Sequence, residues 1–170
     1  MKKVTRAGGP IIWAHASTPA VLDAMLEVLL RAQMIEPSLS YVLSALASEH
    51  IFDSEVARLQ EANLQSGQDF LSKMSPDLCL WANDSISTPF FGLIQKFSIQ
   101  IILVNAKTRK LRGRTWLWRK TVARQALRPV SHAFVETVET SGHLRNLGLP
   151  ARNIDCLLYT SDAADDLLCV

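Results

Sequence analysis

The sequence predicts an α/β fold, a Rossmann-like parallel sheet with helices on both faces. Three observations predict it. Short apolar runs alternate with helix-length stretches throughout Pro76–Pro150. The run Ile101-Ile102-Leu103-Val104 is apolar at successive positions, as expected of a strand covered on both faces. Glycines or prolines punctuate several element boundaries, at Gly8-Gly9, Pro76, Pro129 and Gly148.

The elements follow in order. Ile11-Ile12-Trp13-Ala14-His15 follows Gly8-Gly9-Pro10 and reads as a buried strand. Ser17 or Thr18 caps a helix with Pro19 in its first turn. Val21, Leu22, Met25, Leu26, Val28 and Leu29 then recur at helical spacing. Ser40–Ala45 reads as a second strand. Residues 46–67 carry the weakest signal, with Val56-Ala57-Arg58-Leu59 read as helical. Asp69–Met74 is a short helix stopped before Pro76. Leu78–Trp81 is a strand, Thr88–Phe97 a helix, and Ile99–Asn105 the clearest strand. Trp116–Leu127 is a helix ended by Pro129, and His132–Val135 a strand. Thr137–Leu147 is a helix with Gly148 at its C-terminal cap.

Composition bounds the function classes. The formal net charge is +2, from 18 basic and 16 acidic residues. No apolar run approaches the roughly 20 residues that cross a bilayer, and Met1–Pro10 lacks the apolar core of a signal peptide. There is no internal repeat or low-complexity segment. The tail is unusual. Residues 156–165 back-translate, in one frame, to a transposase adapter used in sequencing libraries. Residues 156–170 are therefore expected to be an adapter-derived artefact, and 1–155 the domain. Without Asp162, Asp165 and Asp166 the balance is 18 basic against 13 acidic residues. Cys79 is then the one cysteine outside the tail, a small core residue with no internal disulfide partner.

One segment is strongly cationic. Lys107, Arg109, Lys110, Arg112, Arg114, Arg119, Lys120, Arg124 and Arg128 follow one another without an acidic residue, and Trp116 and Trp118 interleave with them. Such a run attracts anionic surfaces, at about 1 kcal/mol per cation beside an anionic membrane. It also fits a solvated helix face with one Trp packed on the sheet. Nothing resembles a zinc finger, a helix-turn-helix or an RNA-binding aromatic pattern, so no nucleic-acid partner is expected. His50, His132 and His143 have no His or Cys neighbour at ligand spacing, so no metal site is expected.

Several short motifs carry a resemblance. Gly9-Pro10-Ile11-Ile12-Trp13-Ala14-His15-Ala16, Pro76-Asp77-Leu78-Cys79-Leu80, Val104-Asn105-Ala106, and Val135-Glu136-Thr137 ahead of His143–Pro150 stand in the order found in bacterial 3-deoxy-D-manno-octulosonic acid (Kdo) transferases. The chain resembles their N-terminal domain over residues 8–155. That resemblance implies the N-terminal half of a GT-B glycosyltransferase, two Rossmann-like domains facing a cleft. It implies an N-terminal domain that receives a lipid A precursor and a C-terminal domain that binds the donor, CMP-Kdo. No further cofactor is implied. The implied place of work is the cytoplasmic face of the bacterial inner membrane, with the cationic segment against anionic lipid.

The scaffold motifs match better than the chemical ones. After His-Ala the family carries Ser-Val-Gly-Glu, whose glutamate is the proposed general base; here His15-Ala16-Ser17-Thr18-Pro19-Ala20 has no carboxylate. After the Pro-Asp strand the family carries Glu-Thr-Glu-Leu-Trp-Pro-Asn; here Ala82-Asn83-Asp84-Ser85-Ile86-Ser87-Thr88 lacks both glutamates. Asp23 and Asp84 are the candidate replacements. For Asp23 a solvated residue near a helix start is the other reading. His15, Ser17 and Asn105 are the candidate cleft contacts, by position at strand ends; Asn105 also reads as a turn former, and His15 as a structural histidine. The chain alone is expected to be inactive. Two other readings stay open: a degenerate, non-catalytic domain that binds anionic lipid or a protein partner, and a different enzyme of the same architecture.

Overall fold

The computed structural model describes residues 9–16, 18–46, 57–59, 64–82, 88–105 and 116–157. Seven parallel strands form one sheet in the order β3-β2-β1-β4-β5-β6-β7. The strands are β1 (Ile11–Ala16), β2 (Ser40–Leu46), β3 (Ala57–Leu59), β4 (Leu78–Ala82), β5 (Gln100–Val104), β6 (Val130–Val135) and β7 (Ile154–Cys156). The helices are α1 (Pro19–Ile35), α2 (Leu64–Met74), α3 (Thr88–Lys96), α4 (Trp116–Ala126) and α5 (Val138–Asn146), and a short 3-10 turn, Ala151–Asn153, precedes β7.

Side chains on a strand alternate between faces, and the helices divide accordingly. Ala14, Ala16 and Ala82 pack under Leu22, Met25 and Leu29 of α1. The three alanines let the helix lie close to the sheet. The opposite face holds the larger core: Trp13, Cys79, Trp81, Ile101, Leu103, Ala133 and Val135 meet Phe70 and Leu71 of α2, Phe90, Phe91 and Ile94 of α3, Ala123 and Ala126 of α4, and Leu144 of α5. Each fully buried Leu, Ile or Phe contributes about 1.5–3 kcal/mol. The expected fold class holds, with helices on both faces.

Local chemistry sets the ends. Thr18 is the N-cap of α1 and Pro19 fills its first turn, but the Thr18 side chain makes no capping bond. Thr137 caps α5 with its hydroxyl, which accepts from the backbone N–H of Thr140 at 3.2 Å. Gly148 follows α5 at φ 102°, a left-handed position that only glycine adopts without strain. Ser75 and Ser98 take the same role after α2 and α3, at φ 45° and 57°.

Two readings change. Residues 56–59 read as helical, yet Ala57–Leu59 forms the edge strand β3, paired in parallel with Ser44–Leu46. Pairing to an existing sheet edge overrides the local preference of so short a segment. Ile154–Cys156, a three-residue strand with no sequence signal of its own, forms the other edge by pairing with Ala133–Val135. Cys156, at the expected start of the artefactual tail, is its last residue.

The central pairing, β1 with β4, is clamped at its start. The backbone N–H of Ile11 donates to Asp77 Oδ2 at 2.8 Å, and the N–H of Asp77 donates to the Ile11 carbonyl at 2.9 Å. The Pro-Asp motif therefore sets strand register. Asp77→Ala is expected to strip Ile11 of its side-chain partner and to cost about 1–3 kcal/mol, read as a lower urea midpoint with unchanged slope. Asp77→Asn keeps an acceptor oxygen and is expected to lose less.

Candidate functional site

The strand order reverses between β1 and β4: β2 and β3 lie to one side, β5 to β7 to the other. Ligands of open α/β sheets bind beside the carboxyl ends of strands at such a reversal. The register brings one row of residues to that edge. Ser44 of β2 lies beside His15 of β1, His15 beside Trp81 of β4, and Trp81 beside Leu103 of β5. One layer deeper, the same face carries Val42, Trp13, Cys79 and Ile101, all buried. The buried polar residues His15 and Ser44 thus stand in the last row of this face, at the reversal.

The row is tightly packed. His15 is 1 % exposed and Trp81 0 %. Their rings stack with centroids 4.1 Å apart and planes at 30°. Ser44 Oγ accepts from Trp13 Nε1 at 2.7 Å and lies 2.9 Å from His15 Nδ1. Indole nitrogen only donates, so the serine hydroxyl serves two aromatic neighbours at once. Trp81 is held by Phe90 (5.9 Å, tilted) and Phe91 (5.0 Å, edge-on) of α3. Its own Nε1 is buried with no hydrogen-bond partner. Beneath, burial pushes the Cys79 thiol well above its ordinary range, which keeps it protonated and unreactive.

Two helices begin at this edge, α1 after β1 and α3 after β4, and neither has an acidic residue in its first turn. The first turns themselves therefore carry no carboxylate to offset the partial positive charge of the helix starts.

The sequence-expected residues divide three ways. His15 is in the row, buried against Ser44 and Trp81. Asn105 leaves β5 in the left-handed region, φ 49°, and its backbone N–H donates to the Phe134 carbonyl at 2.8 Å; this geometry fits its turn-forming reading. Asp23 stands exposed on α1, one turn beyond the helix start. Ser17, Asp84, Lys107, Arg109, Lys110, Arg112 and Arg114 lie outside the described residues. Arg119 and Lys120 fall on α4, described there by its backbone alone. Among the described residues no group of His, Cys, Asp or Glu is placed to hold a metal ion. Sequence reasoning missed Ser44 and the role of Trp81. The signal for Ser44 was a hydroxyl inside a buried strand, at a spacing that matches the Trp13–His15 alternation.

The family profile described as 3-deoxy-D-manno-octulosonic-acid transferase (kdotransferase) matches residues 63–160, from the start of α2 to beyond β7. The chain belongs to the Kdo transferase family. Trp81 and Asn105 lie inside the matched stretch; His15 and Ser44 precede it. No curated protein matches the chain. Solved structures share the fold. The S. aureus MnaA-UDP co-structure is 17% identical with a TM-score of 0.55, over 87% of this chain and 43% of its own. A putative UDP-N-acetylglucosamine 2-epimerase from Listeria monocytogenes is 11% identical with a TM-score of 0.58, over 85% and 44%. The apo form of the lipopolysaccharide outer core galactosyltransferase WaaB is 13% identical with a TM-score of 0.55, over 86% and 44%. The chain thus spans less than half the length of these structures, and its Rossmann-like domain is the N-terminal half of a GT-B architecture.

The left-handed conformation of Asn105 yields a test. Asn105→Ala is expected to cost about 1 kcal/mol or more, because an L side chain without a local hydrogen bond is strained there, while Asn105→Gly is expected to be near neutral. Thermal denaturation of both variants measures this. If Asn105→Gly leaves stability intact but abolishes ligand binding, the amide is a contact and not only a turn former.

Proposed function

We propose that residues 1–155 form the acceptor-side domain of an enzyme that transfers Kdo from CMP-Kdo to a lipid A precursor, at the cytoplasmic face of the bacterial inner membrane. Family membership carries this reading, and the polar row at the strand reversal supports it. Two helix starts without acidic residues favour a phosphorylated acceptor beside them. The cationic run from Lys107 to Arg128 suits an anionic membrane surface, and no helix among the described residues is long and apolar enough to cross a membrane.

In the reaction, the acceptor hydroxyl oxygen bonds to the anomeric carbon of Kdo, the bond from that carbon to the CMP phosphate oxygen breaks, and the hydroxyl proton passes to a base. A second domain holds the donor. In this chain the segment after β1 has no carboxylate, and Asp23 is exposed on α1. The domain's contribution is therefore binding and orientation of the acceptor, and the chain alone is inactive. The missing carboxylates also favour a second reading, a non-catalytic domain that binds anionic lipid or a protein partner.

The full chain is expected to bind a lipid A precursor in detergent micelles and to form no product when CMP-Kdo is added. Isothermal titration and a radiolabelled transfer assay measure the two. Turnover would show that the domain carries its own base and donor site; absence of binding would remove the acceptor reading.

A further inference from the structure

Among the described helices, α1 is the one that covers the alanine face of the sheet. Its inner stripe, Leu22, Met25 and Leu29, is buried there. Its outer side is also rich in apolar groups: Val28 is 55 % exposed, Leu30 45 %, Met34 83 % and Ile35 87 %. Four of the seven large hydrophobic side chains exposed among the described residues thus stand on this one helix. Single exposed apolar residues need no explanation, but a concentration of them marks an interaction surface.

The charges on the same side narrow the choice of partner. Arg31 Nη2 and Glu27 Oε1 pair at 2.5 Å, one turn apart, with both side chains well exposed. Asp23 and Glu36 are exposed too, so three carboxylates stand against one guanidinium. That excess of negative charge disfavours an anionic lipid surface. The order of residues is instead complementary to itself. Leu29 lies midway between Glu27 and Arg31, and midway between Ala24 and Met34. Turned end for end about Leu29, the helix sets Glu27 level with Arg31 and the small Ala24 level with the large Met34.

We propose that the outer face of α1, from Asp23 to Ile35, pairs with the same face of a second copy of this chain, antiparallel about a two-fold axis level with Leu29. Such an interface uses one patch twice, so every contact occurs in duplicate. Glu27 of each copy meets Arg31 of the other, and Val28, Leu30, Met34 and Ile35 leave water together. The pairing begins beyond the first turn of α1, so the carboxyl edge of the sheet stays open. The inference therefore stands apart from the acceptor reading. One pair of helices is small for a specific interface, and the dimer is expected to be weak and to form as concentration rises.

The test is analytical ultracentrifugation of the full chain over a range of concentrations. The mass is expected to rise from that of one chain toward that of two. Glu27→Arg and Arg31→Glu each set like charges across the axis, and each is expected to raise the dissociation constant about tenfold or more. The two variants mixed together are expected to regain wild-type association, because two arginines on one copy then face two glutamates on the other. The double variant Glu27→Arg/Arg31→Glu is expected to regain it alone. Both positions are exposed, and melting followed by circular dichroism checks that each variant folds. Binding of the lipid A precursor is expected to be the same in every variant. A wild-type chain that remains a monomer overturns the inference, whether it stays free or sediments with vesicles of anionic phospholipid. A dimer that either charge reversal leaves intact, or that mixing the two variants does not restore, overturns it as well.

Discussion

The pairing of β1 with β4 is the interaction on which the rest of the molecule depends. It joins two strands far apart in sequence and is where the strand order turns back. Two reciprocal hydrogen bonds between Ile11 and Asp77 fix its start. From there the register runs without interruption to Ala16 beside Ala82. Since successive side chains alternate between faces, a slip of one residue would turn β1 over against β4 and exchange Trp13 and His15 for Ala14 and Ala16 on the larger core's face. The clamp therefore sets which side chains are buried, and also which arrive at the carboxyl edge.

The larger core and the candidate site are one continuous layer. Trp13 contacts Phe70, Phe90, Trp81 and His15, with ring centroids between 5.2 and 6.3 Å. Aromatic packing of this kind gives large burial in rigid geometry. The polar groups at its upper edge are costly there unless paired. Ser44 offsets the cost for Trp13 and orients His15. One hydroxyl thus allows a tryptophan and a histidine to occupy neighbouring buried positions, and it holds the histidine ring flat against Trp81.

The charges near the reversal are distributed unevenly. The helix starts at the reversal carry no nearby acidic side chain in their first turns, and the cationic segment follows the adjoining strand β5 in the chain. The carboxylates that the family pattern sets after β1 and β4 are absent, and Asp23 faces solvent.

Periodicity and punctuation alone determined the fold class, most strands and helices, and the helix ends at Thr137 and Gly148, because these depend on local patterns of burial and on backbone conformations that few residues adopt. Motif order alone pointed to the Kdo transferase family. Tertiary structure decided what depends on neighbours distant in sequence. Ala57–Leu59 and Ile154–Cys156 became strands because sheet edges stood ready to pair with them. Asp77 became a register clamp because Ile11 lies opposite it. Ser44, which carries no motif, became the partner of Trp13 and His15 because parallel register places it in their row. Trp81 reads in the sequence only as the end of a strand; the packing alone leaves its N–H unpaired at the strand reversal, since hydrogen-bond satisfaction is a property of the assembled layer and not of any segment within it.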